Sequence, residues 1–467
     1  MSIPFLKFVF GTFTLVLALS RTVLLYAQEE RKLAPVSRCY AITHVNIVQA
    51  PGRNVEMGTV VIRDGLITAV GKNVVIPADA SLLKADSMYM YAGFIDGLSR
   101  AGVMKPRDES TKERVKDPGD PTPDRAGITP QNDVRSFLYP EDKSVEELRS
   151  LGFTTSHVVP YGGMLPGSGA IICFGGRSTD DLVVVAKSSL YSELAIAERV
   201  YPNTILGVMA KWRELYRKAT LAKSYELVYA SNRTGLERPQ SDRVLEAFYP
   251  VIDKRTPVLF RSEKILDLHR ILALQSDLGF PLILADLKEG WDVIPKVKSS
   301  GAKVFLSLDL PEEKKQEKKD DKGEKKEETI NFADSVEKVA LEKRKAEFIA
   351  LYVAQASAFQ KAGISFGFST LSVKTKDILS NLRRMIKAGL TEDQALAALT
   401  TNPAQLLGLF DRMGSIDVGK VANLVISDKT YFHEKAKVRY VFVDGIMYKI
   451  EAKESDNSVA EKKTDKS

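Results

Sequence analysis

Side chains able to do chemistry recur in this sequence just after short apolar runs. Arg261 follows Pro257-Val258-Leu259-Phe260, Asp286, Lys288, Glu289 and Trp291 follow Leu282–Leu284, and Asp309 follows Ser307-Leu308. His157 sits inside the run Phe153–Val159, and Asp96 and Arg100 belong to Tyr91-Ala92-Gly93-Phe94-Ile95-Asp96-Gly97-Leu98-Ser99-Arg100. Carboxylates and a histidine in one pocket can exchange protons with a substrate. An arginine offers a planar fork that binds a carboxylate or other anion bidentately. A metal centre finds less support. The chain has four histidines, His44, His157, His269 and His433, and no two have the spacing of an HxH or HExxH ligand set.

Such residues act together only if the chain gathers the ends of its strands. Between residues 91 and 404 apolar runs alternate with helical patterns. The runs are Phe153–Val159, Val258–Phe260, Leu282–Leu284, Val304–Leu308 and Ser365–Phe368. The helical patterns are Val145–Leu151, Lys264–Leu274 and Val336–Lys361. Repeated βα units predict a parallel sheet, as a barrel or doubly wound. Both flanks read as short strands. Asp64-Gly65 and Asp444-Gly445 each sit between β-rich runs and predict two-residue hairpin turns. Thr391-Glu392-Asp393-Gln394 predicts a capping box opening a late helix, after Gly389 has ended the one before.

The frame Gly93-Phe94-Ile95-Asp96 closely resembles the first barrel strand of amidohydrolases, which usually reads Pro-Gly-Phe-Ile-Asp-x-His-x-His. The end of the chain carries the matching text Ala388-Gly389-Leu390-Thr391, Ala395-Leu396, Thr400, Asn402-Pro403-Ala404, Gly414-Ser415-Ile416, Gly419-Lys420 and Ala422-Asn423-Leu424-Val425. Ordered pieces at both ends make the resemblance specific. It is nearest to the imidazolonepropionase-like and prolidase-like branch. It implies an α/β fold: a (β/α)8 TIM barrel over residues 91–404, beside a small composite β-sandwich from residues 38–90 and 405–450.

The resemblance also implies a site. Family members usually hold one or two zinc or similar divalent ions, on two histidines of strand 1, one each of strands 5 and 6, and an aspartate of strand 8. The metal activates water for hydrolysis of non-peptide C–N bonds. Position by position, the strand 1 ligands are replaced by Leu98 and Arg100, and the strand 5 histidine by Arg261. Strand 6 ends in Ala285-Asp286, and Ser369-Thr370-Leu371 stands for Gly-Thr-Asp, with Leu371 in place of the acid. No cofactor is therefore expected. Two fixed positive charges would repel a divalent ion in a low-dielectric pocket. An ion pair of Arg100 or Arg261 with Asp286 would fill the metal's volume.

At 467 residues and 44% hydrophobic, the chain can build one large and one smaller domain. Its 67 basic and 60 acidic residues are interspersed, for a net charge of +7, with no basic stripe for nucleic acid. Residues 1–27 read as a signal peptide: Lys7, the apolar run Phe8–Leu19, and Ala27 as a cleavage residue, with an uncleaved anchor as the alternative. Export to a periplasm or medium follows, with no membrane span beyond that segment. Two cysteines, Cys39 and Cys173, are too few for a disulfide scaffold, and Cys173 in Ala170–Phe174 reads as a buried strand thiol. Three stretches look loosely structured: Lys105–Thr129, the charged insertion 312–328, and the tail 451–467. Pro160–Gly169 reads as a turn-rich loop, and Ser231–Pro239 as a polar loop.

Three functions compete. The first is a catalytically degenerate amidohydrolase serving as a binding or partner subunit of an active paralogue, or as a homo-oligomer. The second is a hydrolase of amide or dipeptide-like substrates with a metal-independent site. Asp96, His157, Asp286 and Asp309 would be its acid–base candidates, with Arg100 or Arg261 stabilising an oxyanion. The third is a module that binds a small carboxylate through Arg100, Arg261, Lys288 and Trp291. Coordinated loss of every ligand in a preserved frame favours the first.

Overall fold

The computed structural model describes residues 38–106, 115–176, 178–312 and 332–451, without the side chains of 332–336. The segment 1–27, most of the charged insertion and all but the first residue of the tail lie outside them. Among the described residues no helix is long and apolar enough to cross a membrane.

Strands from the two ends of the chain form one eight-stranded sheet. They are β1 (Cys39–Ala50), β2 (Arg53–Arg63), β3 (Leu66–Gly71), β4 (Ser81–Lys84), β5 (Tyr89–Ala92) and, from the far end, β14 (Leu424–Ser427), β15 (Val438–Val443) and β16 (Ile446–Lys449). β5 joins the two groups by pairing with β1 on one side and β14 on the other. The register of β1 against β2 shifts between Ile42 and Val45, around His44 at φ 57°. This bulge lets one strand serve two partners, β4 with its first half and β5 with its second. The curled sheet encloses an apolar core that includes Ile42, Ile62, Met90, Leu424 and Phe442. Both Asp-Gly turns form, with φ of 49° and 82° at Asp64 and Gly65 and 50° and 71° at Asp444 and Gly445. Their tips also meet: an added Cβ on Gly445 would stand 2.6 Å from the Gly65 Cα.

The second sheet runs in order β13 (Phe366–Ser369), β12 (Lys303–Ser307), β11 (Leu282–Leu287), β10 (Val258–Arg261), β9 (Val183–Ser192), β8 (Gly167–Cys173), β7 (Phe153–Val158), β6 (Phe94–Ser99). The Thr370 N–H donates to the Leu98 carbonyl at 3.2 Å and brings the two ends together as a barrel. Helices alternate with these strands: α1 (Lys143–Ser150), α2 (Ile205–Ser231), α3 (Ile265–Leu278), α4 (Ile294–Ser300), α5 (Phe332–Lys361), α6 (Ile378–Lys387) and α7 (Glu392–Leu399). One strand departs from the parallel pattern. β8 is antiparallel to both neighbours. Only residues 159–166 link it to β7, too few for a crossover helix.

Outside the strands, Trp212 of α2 packs on Phe248, Phe260 and Phe280 at 5.2–6.0 Å between ring centroids. Inside, Phe305 plugs the barrel among Leu98, Val159, Tyr191, Leu259 and Ile283. It fits because Gly97 and Gly367 lack side chains; an added Cβ on either would overlap its ring.

Three expectations need correcting. The second half of Lys105–Thr129 is not loose: Ala126 and Ile128 are buried, and Thr129 N–H donates to the Leu165 carbonyl at 2.7 Å. Thr391 caps α7 by accepting from Gln394 N–H at 3.3 Å, but its own N–H goes to Gln360 rather than back to Gln394. The turn-rich loop after β7 is shorter than expected, since Gly167–Gly169 already belong to β8, and bridges from Ile128 to Leu165 and Asp133 to Ser168 tie this region to residues 126–133.

Candidate functional site

The C-terminal ends of the barrel strands carry a network of charges. β10 ends in Arg261, whose guanidinium is one-fifth exposed. Its Nε donates to Asp286 at 3.3 Å, Nη1 to Glu193 at 3.2 Å, and Nη2 to Glu263 at 2.5 Å and the Ser372 hydroxyl at 3.0 Å. Burial alone would lower its pKa, but the charges of Glu193 and Asp286 outweigh that and raise it. Glu193 lies just past β9 and bridges the two arginines. Its other oxygen accepts from Arg100 at 2.8 Å and from the Tyr191 hydroxyl at 2.8 Å. Arg100 also lies over the Tyr161 ring, 4.5 Å from its centroid, and its buried Nε has no partner.

Asp286 is fully buried at a bulge near the end of β11, with a left-handed φ of 51°. Few non-glycine residues adopt that conformation, so the surroundings must hold it. They do: Ser372 donates at 2.5 Å and Ser369 at 3.3 Å, beside Arg261. Of the two ion pairs foreseen at Asp286, the one with Arg261 forms. Arg100 takes Glu193 instead.

The other candidates divide. Lys288 donates to Asp309 at 2.7 Å on the rim and lies 3.8 Å from Glu263. Glu289 accepts from Ile265 N–H at 3.1 Å and caps α3. Trp291 turns away and packs on Phe348 and Tyr352 of α5 at 5.5 and 5.8 Å. Asp96 is fully buried at the barrel seam and accepts from Leu98 N–H, Thr370 N–H, the Thr370 hydroxyl and the Ser156 hydroxyl at 2.7–3.2 Å. Burial pushes its carboxyl up to about 7, although the Thr370 and Ser156 hydroxyls pull the other way. That value suits acid–base work, but both oxygens are already engaged in tying β6 to β7 and β13. His157 lies deeper in the barrel. Its Nε2 meets the Ser189 and Ser188 hydroxyls at 2.8 and 2.9 Å, its Nδ1 has no partner, and burial lowers its pKa to about 4. His269 is half-buried in α3, His44 is 3.5 Å from Asp86, and His433 Nδ1 accepts from Lys435 N–H. Cys39 and Cys173 are free and buried.

The residues at the family's metal positions do not suit a divalent ion. Leu98 belongs to the apolar plug and Leu371 packs against it. Arg261 occupies the oxygens of Asp286 and Glu193 that could serve as ligands. Among the described residues no three of His, Cys, Asp and Glu converge to hold a metal. What the arrangement does chemically is neutralise itself: fixed cations and carboxylates satisfy one another over an apolar floor.

Glu193, Glu263 and Ser372, all central here, are absent from the sequence candidates. Glu193 was legible in principle, as an acidic residue just after Leu190-Tyr191-Ser192. The strand before it went unread because its first half, Val183–Ser188, is not a buried apolar run. Ser372 carries no signal, since it is placed by the turn after β13.

A cavity of about 950 Å³ lies away from the mouth, between α1 and the β15–β16 hairpin.

Residues 285–448 match the model of the amidohydrolase family. An amidohydrolase structure from Thermotoga maritima MSB8 aligns with 88% of this chain and 100% of its own, at 20% identity and TM-score 0.70. Another amidohydrolase structure aligns with 88% of this chain and 99% of its own, at 14% identity and TM-score 0.50. A Xaa-Pro dipeptidase with methionine bound in its active site aligns with 88% and 100%, at 14% identity and TM-score 0.47. A comparison with curated sequences finds no match.

Proposed function

We propose that this chain, a member of the amidohydrolase superfamily, has exchanged its hydrolytic centre for an ion-pair network and acts as a binding or partner subunit. The observation that carries the reading is the engagement of four of the five N–H donors of Arg261. Each of its three nitrogens donates, to Asp286, Glu193, Glu263 and Ser372 in all. A guanidinium so engaged is a filling of the site, not a receptor for substrate. The same observation weighs against a module that binds a carboxylate through both arginines. The engaged oxygens of Asp96 weigh against a rearranged acid–base site.

In this reading the partner is an active paralogue on a separate chain or a second copy of this one. The chain is exported, with residues 1–27 as its signal peptide. Metal analysis of the purified protein, with assays on dipeptides and acylated amines, tests the first part. Substoichiometric metal and no turnover are expected; stoichiometric zinc with hydrolysis overturns the reading. Amino-terminal sequencing of the mature protein tests export, with a start at Gln28 as the expected result and retention of Met1 as the contrary one.

A further inference from the structure

We infer that the cleft between α1 and the β15–β16 hairpin is a second site, which binds a small carboxylate bearing an apolar chain. At about 950 Å³ it lies near the top of the range of small-molecule pockets. Arg149, on its wall, is half-buried. Its Nη1 donates to the Phe174 carbonyl at 2.8 Å, and the Tyr448 ring covers the guanidinium with its centroid 4.0 Å away.

No carboxylate among the described residues pairs with Arg149, unlike Arg100 and Arg261 at the mouth. Burying a cation is costly, and burial lowers the pKa of this arginine against the smaller opposing effects of Tyr448 and Glu146. An anion would supply the missing charge, and the guanidinium keeps donors for a bidentate contact. Exposed Lys437 and Lys449 also line the cleft, and neither forms an ion pair among the described residues. Leu151, Leu379, Met447 and Ile450 supply apolar wall. The chemistry that fits all of these is one negative head on a hydrocarbon body. Five basic residues line the cleft against Glu146, Glu147 and Glu451, and Glu147 is already engaged by Lys143 and Thr375.

Titration of the full-length protein with sodium hexanoate, followed by calorimetry, tests the site. Saturable one-site binding is expected. Arg149→Gln should weaken it about tenfold or more, the worth of one charge-assisted contact. Arg100→Gln should leave it unchanged, and hexanol should not bind. No saturable heat, or equal affinity in Arg149→Gln, overturns the assignment. Equal loss in Arg100→Gln would move the ligand to the mouth and overturn it too. Should Arg149→Gln fail to fold, Lys437→Gln/Lys449→Gln decides. Both side chains are exposed, and about threefold weaker binding is expected; unchanged binding sinks the proposal.

Discussion

Arg261 at the barrel mouth and Arg149 beside the terminal sheet are both partly buried guanidiniums, yet their surroundings are opposite. Arg261 meets three carboxylates and a hydroxyl. Arg149 meets one carbonyl and one aromatic face. A cation ringed by its own protein's anions is part of the scaffold. A cation left with a neutral partner keeps its charge available to something from outside. The mouth is neutralised by its own charges, whereas Arg149 in the cleft forms no ion pair among the described residues.

The sharpest way to break this comparison is Arg261→Met. It would leave Asp286 buried and Glu193 half-neutralised, and urea unfolding should show a loss of about 3–5 kcal/mol. A loss below about 1 kcal/mol would mean that the network holds nothing together.

The next effect comes from below the mouth. Folded His157 stays neutral down to about 4, whereas its ordinary pKa is 6.5. Unfolding therefore takes up a proton between these values. Stability contributed by the neutral ring is complete above 6.5 and lost as pH falls through the window, by about 3 kcal/mol in all. Asp96 acts in the opposite sense. Its folded pKa is raised from 3.8 to about 7, so its contribution is complete below 3.8 and lost as pH rises to 7. Denaturant unfolding of wild type and His157→Gln, at pH 7.5 and pH 4.5, separates the two. The variant should lose about 2 kcal/mol less than wild type on acidification. Parallel pH profiles would refute the assignment to His157.

Arg149→Gln should cost less, about 1–2 kcal/mol, since it removes one hydrogen bond and one ring contact. Thermal unfolding would read this, and a cost equal to that of Arg261→Met would erase the contrast between the sites. The smallest expected effect is none. Stoichiometric zinc should not shift the melting temperature, because the carboxylates a metal would need are held by Arg261. A rise of several degrees would reopen the mouth as a metal site.

Much of the scaffold was legible in local text. Phe94-Ile95-Asp96 opens β6, and both Asp-Gly pairs turn with positive φ at each residue. The helices read at Val145, Lys264 and Val336 form within a few residues of those positions. β8 and β9 were harder. One runs antiparallel because its link is short, and the other is half-exposed along its first six residues, which hides the apolar signal. Leu98, Arg100, Arg261 and Leu371 could be singled out from sequence because each stands at a recognisable place in a motif; what each of them meets could not.

The sequence alone determined the family frame, the hairpins, and the absence of a histidine ligand set, since all three are matters of residue type and near-neighbour spacing. Only the tertiary structure decided which charges meet. Glu193 stands between Arg100 and Arg261, 93 and 68 residues away along the chain, and Asp286 reaches Ser372 through a left-handed bulge. The fold sets Arg149 against Tyr448, with no carboxylate of the described residues in an ion pair with it. Coulomb energy depends on distance in space and on burial. Neither is fixed until strands from remote parts of the chain have closed into one barrel.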